Sequence, residues 1–140
     1  MCATNLIRCG HPDWKITMTV VFRANDLKTS DFDESLLAPP MATPLSGDIV
    51  VRGHSFLDDD ERGIYSGSWE SEPGTSRWEF TERGEIIVVV SGRMTVEEDG
   101  KPAVTLEPGD TAYFPLGWKG VWTVHERLRK VYVVYVPKNS

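Results

Sequence analysis

The chain of 140 residues is long enough for one domain with a buried core and short for two. Its net charge of −6 disfavours nucleic acid and anionic membrane surfaces as partners. Cys2 and Cys9 have neither the number nor the spacing of a disulfide framework or a zinc site, so we expect reduced thiols in a cytoplasmic protein. Apolar runs such as residues 86–90 are too short to predict a signal-peptide core or a transmembrane helix.

Residues 1–47 are predicted to form an N-terminal extension with one strand. Residues 1–13 show no periodicity, but in residues 14–23 apolar side chains alternate with polar ones, which is typical of a half-buried strand: Ile16, Met18, Val20 and Phe22. Residues 25–37 are acidic and predict a short helix with Ser30 or Asp31 as its N-cap. Prolines at 39, 40 and 44 then predict a surface connector over residues 38–47.

Residues 48–140 are predicted to be all-β. Short β-rich segments bounded by turn residues predict strands at 48–56, with a bulge at Gly53, and at 63–70, 77–81, 85–90, 93–97, 104–106, 111–114, 121–125 and 130–136. The acidic run 58–62 fits a solvated turn better than a calcium site, and Ser91–Gly92 is interpreted as a turn between two strands. Strands this short and regularly spaced predict an antiparallel sandwich or barrel.

Two groups of residues in this region resemble the motifs of the cupin superfamily. Glu85 with Gly92 resembles the second half of the first motif, and Gly109 with Pro115 and Gly117 resembles the start of the second. Residues 69–74, 77–78, 120–122 and 129–132 are similar to the standalone small cupins related to ureidoglycine aminohydrolase and the ethanolamine-utilisation protein Q. The resemblance covers about residues 48–136 and implies a cupin-type antiparallel β-barrel, that is, a double-stranded β-helix or jelly roll.

The resemblance also implies a metal site, held by two histidines and a glutamate of the first motif and one histidine of the second. Glu85 matches the glutamate, but residues 78–82 contain no histidine and Gly120 stands at the position of the second-motif histidine. His125 is predicted to face outward because it lies five residues beyond Gly120, whereas the facing of His54 stays open and His11 lies in the lead-in. We therefore expect no metal and no cofactor, or at most a weak carboxylate site that adds Glu79 or Glu82 to Glu85.

The inward face of the barrel is expected to form a small aromatic pocket. Counting in twos from Glu85 and Gly120 places Ile87, Val89, Trp122 and Val124 inside, with Trp69 and Tyr132 among further candidates. Glu85 is the best candidate for a catalytic group; most of the aromatic residues are expected to belong to the core, and a subset is expected to line the pocket with Glu85. The predicted ligand-binding residues are Trp78, Phe80, Glu85, Tyr113, Trp118 and Trp122.

The leading functional hypothesis is a metal-free cupin that binds a small polar or aromatic molecule in its barrel. One alternative is a cupin enzyme acting on a small nitrogenous or sugar-like metabolite; the other is a non-catalytic structural or regulatory subunit. Because an amphipathic strand must bury one face and pair one edge, residues 14–23 are expected to pack on the barrel or on a partner chain. We therefore expect a homodimer with a two-fold interface.

Overall fold

A computed structural model describes residues 19–138 and confirms the all-β prediction. In this part of the chain nine strands form one curled antiparallel sheet. The strands are β1 (Asp33–Leu36), β2 (Thr43–Pro44), β3 (Val50–Asp59), β4 (Ile64–Ser71), β5 (Gly74–Glu79), β6 (Gly84–Glu98), β7 (Val104–Leu106), β8 (Thr111–Phe114) and β9 (Lys119–Tyr135). Within residues 19–138 no helix combines the length and apolarity needed to cross a bilayer.

The last long strand, β9, is the centre of the sheet. On one edge it pairs with β5 near its start and with β4 near its end, and on the other edge it pairs with β6 along most of its length. The sheet continues from β4 to β3 and β1, and from β6 to β8 and β7. This arrangement brings the inward faces of β4, β5, β6 and β9 around one interior.

Both β6 and β9 are single continuous strands, which corrects the prediction of two strands at each place. Gly92 has a φ of 88°, but it lies in an irregular stretch of β6 rather than in a turn between strands. Both halves of β6 stay paired with β9, so the chain bends without leaving the sheet. Only glycine fits there, because a Cβ at Gly92 would collide with the carbonyl oxygen of Arg127.

The N-terminal part differs from the prediction in three ways. Residues 19–23 are not a strand, and the ring of Phe22 instead packs against that of Phe56 at a tilt of 39°, with 4.5 Å between ring centroids. The predicted acidic helix is replaced by two single-turn 3₁₀ helices, Ala24–Asp26 and Thr29–Asp31, followed by β1, because the segment has no apolar helical stripe and residues 33–36 find a pairing edge on β3. The bulge in β3 lies between Ser55 and Leu57, not at Gly53.

Part of the predicted extension belongs to the sheet. β1 pairs with β3 and β2 pairs with β5, and the connector between them is not wholly on the surface because Leu37 and Ala42 are buried. The predictions for Cys2, Cys9, His11 and residues 14–18 fall outside the described residues. The homodimer therefore stays a prediction, and the described end of the segment that motivated it, residues 19–23, supplies no paired strand.

Ion pairs to the buried carboxylate of Glu70 hold the N-terminal segment against the sheet. Glu70, 3% exposed, accepts hydrogen bonds from Arg127 at 2.9 Å and from Arg129 at 2.7 Å. Burial raises the pKa of Glu70, but these two guanidinium groups outweigh it and the pKa is lowered. Arg129 also donates to the carbonyl oxygens of Ala24 and Leu27. One arginine of β9 thus connects the buried carboxylate to the 3₁₀ segment.

Aromatic side chains fill one end of the interior. Trp78 and Trp122 stack with 4.0 Å between ring centroids, Phe80 stacks on Phe114 at 5.5 Å, and Trp118 meets Phe114 edge-on at 5.0 Å. All five side chains are at most 6% exposed. This aromatic cluster is part of the packed core, and any open pocket lies next to it rather than within it.

We expect the variant Trp122→Ala to lower the free energy of unfolding by about 3–5 kcal/mol, since Trp122 is 1% exposed and packs on Trp78 and Phe114. Urea denaturation of the purified protein measures this loss. Trp122→Phe is the matched variant; it should lose less, because a ring remains and the indole Nε1, which finds no hydrogen-bond partner among the described residues, is removed. A loss below about 1 kcal/mol for Trp122→Ala would contradict the packing.

Candidate functional site

The burial predicted for β6 and β9 is confirmed. Glu85, Ile87 and Val89 are at most 4% exposed on β6, and Trp122 and Val124 are at most 6% exposed on β9. These residues face the interior because alternate residues of a strand point to the same side of the sheet.

The six predicted ligand-binding residues separate into three groups. Glu85 and Trp78, the latter also a member of the aromatic cluster, line an open cavity, whereas Phe80, Trp118 and Trp122 belong to the aromatic cluster alone. Tyr113 is 56% exposed and hydrogen-bonds the hydroxyl of Tyr135 on the outside of the sheet. Its inward placement is thus corrected: Tyr113 is paired with Ile86, not with Glu85, and shares the outward face of Ile86.

A buried ion pair joins Glu85 to Lys130. The Nζ atom of Lys130 donates to Oε2 of Glu85 at 2.7 Å, and both side chains are at most 5% exposed. Lys130 lies opposite Trp69 on β4 and Val89 on β6, and its side chain reaches along the interior to the carboxylate. Direct contact between the two opposite charges offsets the free energy cost of removing them from water. Either charge alone would be unpaired in a poorly solvating interior.

Three indole rings surround the same ammonium group. The Nζ atom lies 4.5 Å from the ring centroids of Trp69 and Trp122 and 5.6 Å from that of Trp78. The negative face of an aromatic ring attracts a cation at such distances, most strongly where water is excluded. Burial nevertheless outweighs the attraction of Glu85, so the pKa of Lys130 is lowered. We call Trp69, Trp78 and Trp122 the lysine cage.

Two rings of the lysine cage, those of Trp69 and Trp78, and the ion pair border a cavity of about 820 Å³. Its floor includes Trp69, Trp78, Glu85, Lys130 and Tyr132. Its walls come from β1 with the turn after it and from the loop between β5 and β6, and they include Leu36, Met41, Thr81, Glu82 and Arg83. Such a volume, with indole rings and a few polar groups at the bottom, is typical of small-molecule sites.

A second cavity, of about 520 Å³, lies where the 3₁₀ segment meets β9. Its charged residues include Lys28, Glu70, Arg127 and Arg129. Both arginines are bound to Glu70, and Arg129 also donates to the carbonyl oxygens of Ala24 and Leu27, so these groups are engaged in holding the 3₁₀ segment on the sheet. The first cavity is therefore the candidate functional site.

The residues around Glu85 do not fit the metal that the cupin resemblance implies. The partner of the carboxylate is an ammonium group, which cannot ligate a metal and repels a divalent cation. No imidazole could replace Gly120, because a Cβ there would collide with the carbonyl oxygen of Glu97 and the ring of Trp118. Among residues 19–138 no group of three histidine, cysteine or acidic side chains is close enough to hold an ion.

The two histidines in the described part lie away from the cavity. His54 is next to the carbonyl oxygen of Asp31, at 3.0 Å, and packs edge-on against Phe32. His125 is exposed, as predicted, with Nε2 at 2.7 Å from the hydroxyl of Thr95. Both imidazoles thus have partners outside the barrel interior.

Lys130 is the site residue that the sequence analysis missed. A signal was present, because Lys130 alternates with Leu128 and Tyr132 in residues 128–134, whose even-numbered members are otherwise apolar or aromatic. A charged residue inside such an alternation indicates a buried partner. The partner could not be assigned from β9 alone, since Glu85 lies on a neighbouring strand whose register the sequence does not specify.

Comparison with known families identifies the barrel. The family model described as the EutQ-like cupin domain matches residues 59–132, which is more than half of the chain. The chain belongs to this cupin family. The predicted cupin barrel is thereby confirmed, and β1 and β2 lie outside the matched residues. No curated protein matches the chain.

Solved structures agree with this family. The EutQ protein of Clostridium difficile is 25% identical, with a TM-score of 0.55 over 64% of this chain and 65% of that one. A DUF861 family protein of unknown function from Pseudomonas syringae pv. tomato is 22% identical, with a TM-score of 0.65 over 74% and 43% of the two chains. This cupin thus spans less than two thirds of either protein. Ectoine synthase from P. lautus, 16% identical, has a TM-score of 0.62 over 87% and 80% and shares the fold alone.

The buried ion pair between Glu85 and Lys130 can be tested with a double-mutant cycle. Glu85→Leu and Lys130→Met should each lower the free energy of unfolding by about 3–5 kcal/mol, because each leaves an unpaired buried charge. The double variant should lose less than either single variant, since it leaves no charge behind. Urea denaturation of the unaltered protein, the two single variants and the double variant gives the coupling free energy between the two side chains. The exposed pair Arg93–Glu126, at 3.1 Å, is the control and should show a far smaller coupling. Additive losses at Glu85 and Lys130 would contradict the buried pair.

Proposed function

We propose that this cupin binds a small polar or aromatic molecule in the cavity bordered by the lysine cage, without a histidine-bound metal. The observation that carries the proposal is the cavity itself, in which two indole rings and a buried ion pair lie at the bottom of an opening of about 820 Å³. Aromatic faces beside a few fixed polar groups favour a small molecule that has both an apolar and a polar part.

Several groups on the floor can contact such a molecule. Trp69 and Trp78 supply aromatic surface, and Glu85 and Lys130 supply charge. Tyr132 adds a phenol, whose pKa is raised by burial and by the negative charges of Asp58 and Glu85. Its hydroxyl therefore stays protonated at neutral pH and can donate a hydrogen bond.

The cavity wall contributed by β1 and its turn can set the size of the ligand. Leu36 is 54% exposed and Met41 is 42% exposed, and both line the opening. Exposed apolar side chains at the mouth of a cavity are covered when an apolar group binds there. A molecule with an aromatic ring would thus contact the floor and the wall together.

Ligand binding is tested with benzamide, which is both polar and aromatic, and with acetamide, which has no ring. We expect benzamide to change the fluorescence of the indoles on the cavity floor and to raise the melting temperature, and acetamide to have a weaker effect. Leu36→Ser should weaken benzamide binding by roughly tenfold through lost apolar contact.

Val104→Ser is the control variant, since Val104 is also 54% exposed on a strand but lies outside the cavity. It should bind benzamide as the unaltered protein does. Equal weakening by both variants, or no response to either probe, would count against the cavity and favour a structural or regulatory subunit.

The absence of a histidine-bound metal is a separate prediction. Elemental analysis of the purified protein should find no stoichiometric transition metal, and a chelator should leave the melting temperature unchanged, because Lys130 already neutralises Glu85. One equivalent of metal per chain, lost in Glu85→Gln, would overturn the metal-free proposal and move the cupin-enzyme alternative to first place.

A further inference from the structure

We infer that Lys130 forms a reversible Schiff base with small carbonyl compounds that enter the cavity above the lysine cage. The inference rests on the proposed binding function and names a substrate class for the same site: aldehydes or ketones with an apolar or aromatic substituent. The groups that bear on it are the amine of Lys130, the carboxylate of Glu85 and two indole rings close to the amine.

Among the lysines of the described part, Lys130 alone lies inside the barrel. Its side chain is 2% exposed and borders the cavity, while Lys28, Lys101, Lys119 and Lys138 are exposed. A primary amine in a pocket is the group that condenses with a carbonyl carbon. Burial, which lowers the pKa of Lys130, also makes the reactive neutral amine easier to reach than in water.

Glu85 is placed to move the protons of this reaction. Its Oε2 lies 2.7 Å from Nζ, within direct transfer distance. It also borders the cavity, so an incoming carbonyl group can lie beside both the amine and the carboxylate. A structural ion pair needs the contact between the two groups; it does not need both of them to border an open cavity.

The surroundings of Nζ suit the product as well as the free ammonium. The rings of Trp69 and Trp122 each lie 4.5 Å from this atom, and a protonated imine carries its positive charge at the same nitrogen. Glu85 balances that charge in both states. The protein therefore does not have to bury or release a net charge when the bond forms.

Formation of the imine at Lys130 needs no reagent other than the carbonyl compound. Glu85 accepts a proton from the ammonium of Lys130, and the neutral nitrogen attacks the carbonyl carbon, forming the C–N bond. Glu85 returns its proton to the carbonyl oxygen and passes on a second one from the attacking nitrogen; the C–O bond then breaks, and the oxygen leaves as water. The sum is ammonium plus carbonyl compound giving protonated imine plus water, with one positive charge on each side.

The test uses the full-length protein with benzaldehyde, a brief sodium borohydride pulse at neutral pH, and peptide mapping by mass spectrometry. We expect the benzyl adduct on Lys130 to exceed that on exposed Lys101 by at least about threefold, because a lowered pKa and a binding cavity both favour Lys130. Lys130→Met should remove that adduct and leave the adduct on Lys101 unchanged. If this variant does not fold, the map of the unaltered protein still decides.

Benzyl alcohol separates this inference from the proposed binding function, because it has the same ring but no carbonyl group. If benzyl alcohol changes the indole fluorescence while Lys130 is labelled no more than Lys101, the Schiff base is overturned and small-molecule binding stands. If benzyl alcohol also has no effect and Lys130 stays unlabelled, both are overturned. Preferred labelling of Lys130 supports the Schiff base.

Discussion

The ion pair between Glu85 and Lys130 is the constraint on which the interior depends. Both charges are withdrawn from water, and each is stabilised there chiefly by the other. The pair requires a fixed register between β6 and β9, and the ammonium requires the indole rings supplied by β4, β5 and β9. Four strands thus have to be correctly placed before the lysine can be buried.

The pair also changes what a cupin barrel can do at this position. A metal ion in a barrel offers an open coordination position to a substrate oxygen. An ammonium offers hydrogen bonds and, once deprotonated, a nucleophilic nitrogen, but no coordination position. Glu85 stands at the position of the motif glutamate, and the cation beside it is the ammonium group of Lys130, which belongs to the chain itself. Chemistry inferred from the metal-binding members of the fold cannot be transferred to this protein, since fold alone does not confer chemistry.

Much of the fold was predictable because the relevant signals are local. The cupin resemblance placed Glu85 inside, alternation from Glu85 and Gly120 then placed Ile87 and Trp122 there, and glycine and proline marked the turns. The errors occurred where tertiary pairing overrides local preference: Gly92 has the conformation of a turn residue but lies in a continuous strand, and residues 33–36 form β1 because β3 offers an edge. Of the ion pair only Glu85 was predicted. Lys130 is recognised as its partner only when the register between β6 and β9 is known.

One wall of the cavity, formed by β1 and the turn after it, comes from a different part of the chain than the floor. The floor residues Trp69, Trp78, Glu85 and Lys130 lie within residues 59–132, the part common to the family, while Leu36 and Met41 lie before it. Those two side chains are too exposed to support the core. Substitutions there can therefore alter which molecules fit without disturbing the buried charges below. In the proposed site, the groups that would react and the wall formed by β1 thus lie in separate stretches of the sequence, and each can be altered without the other.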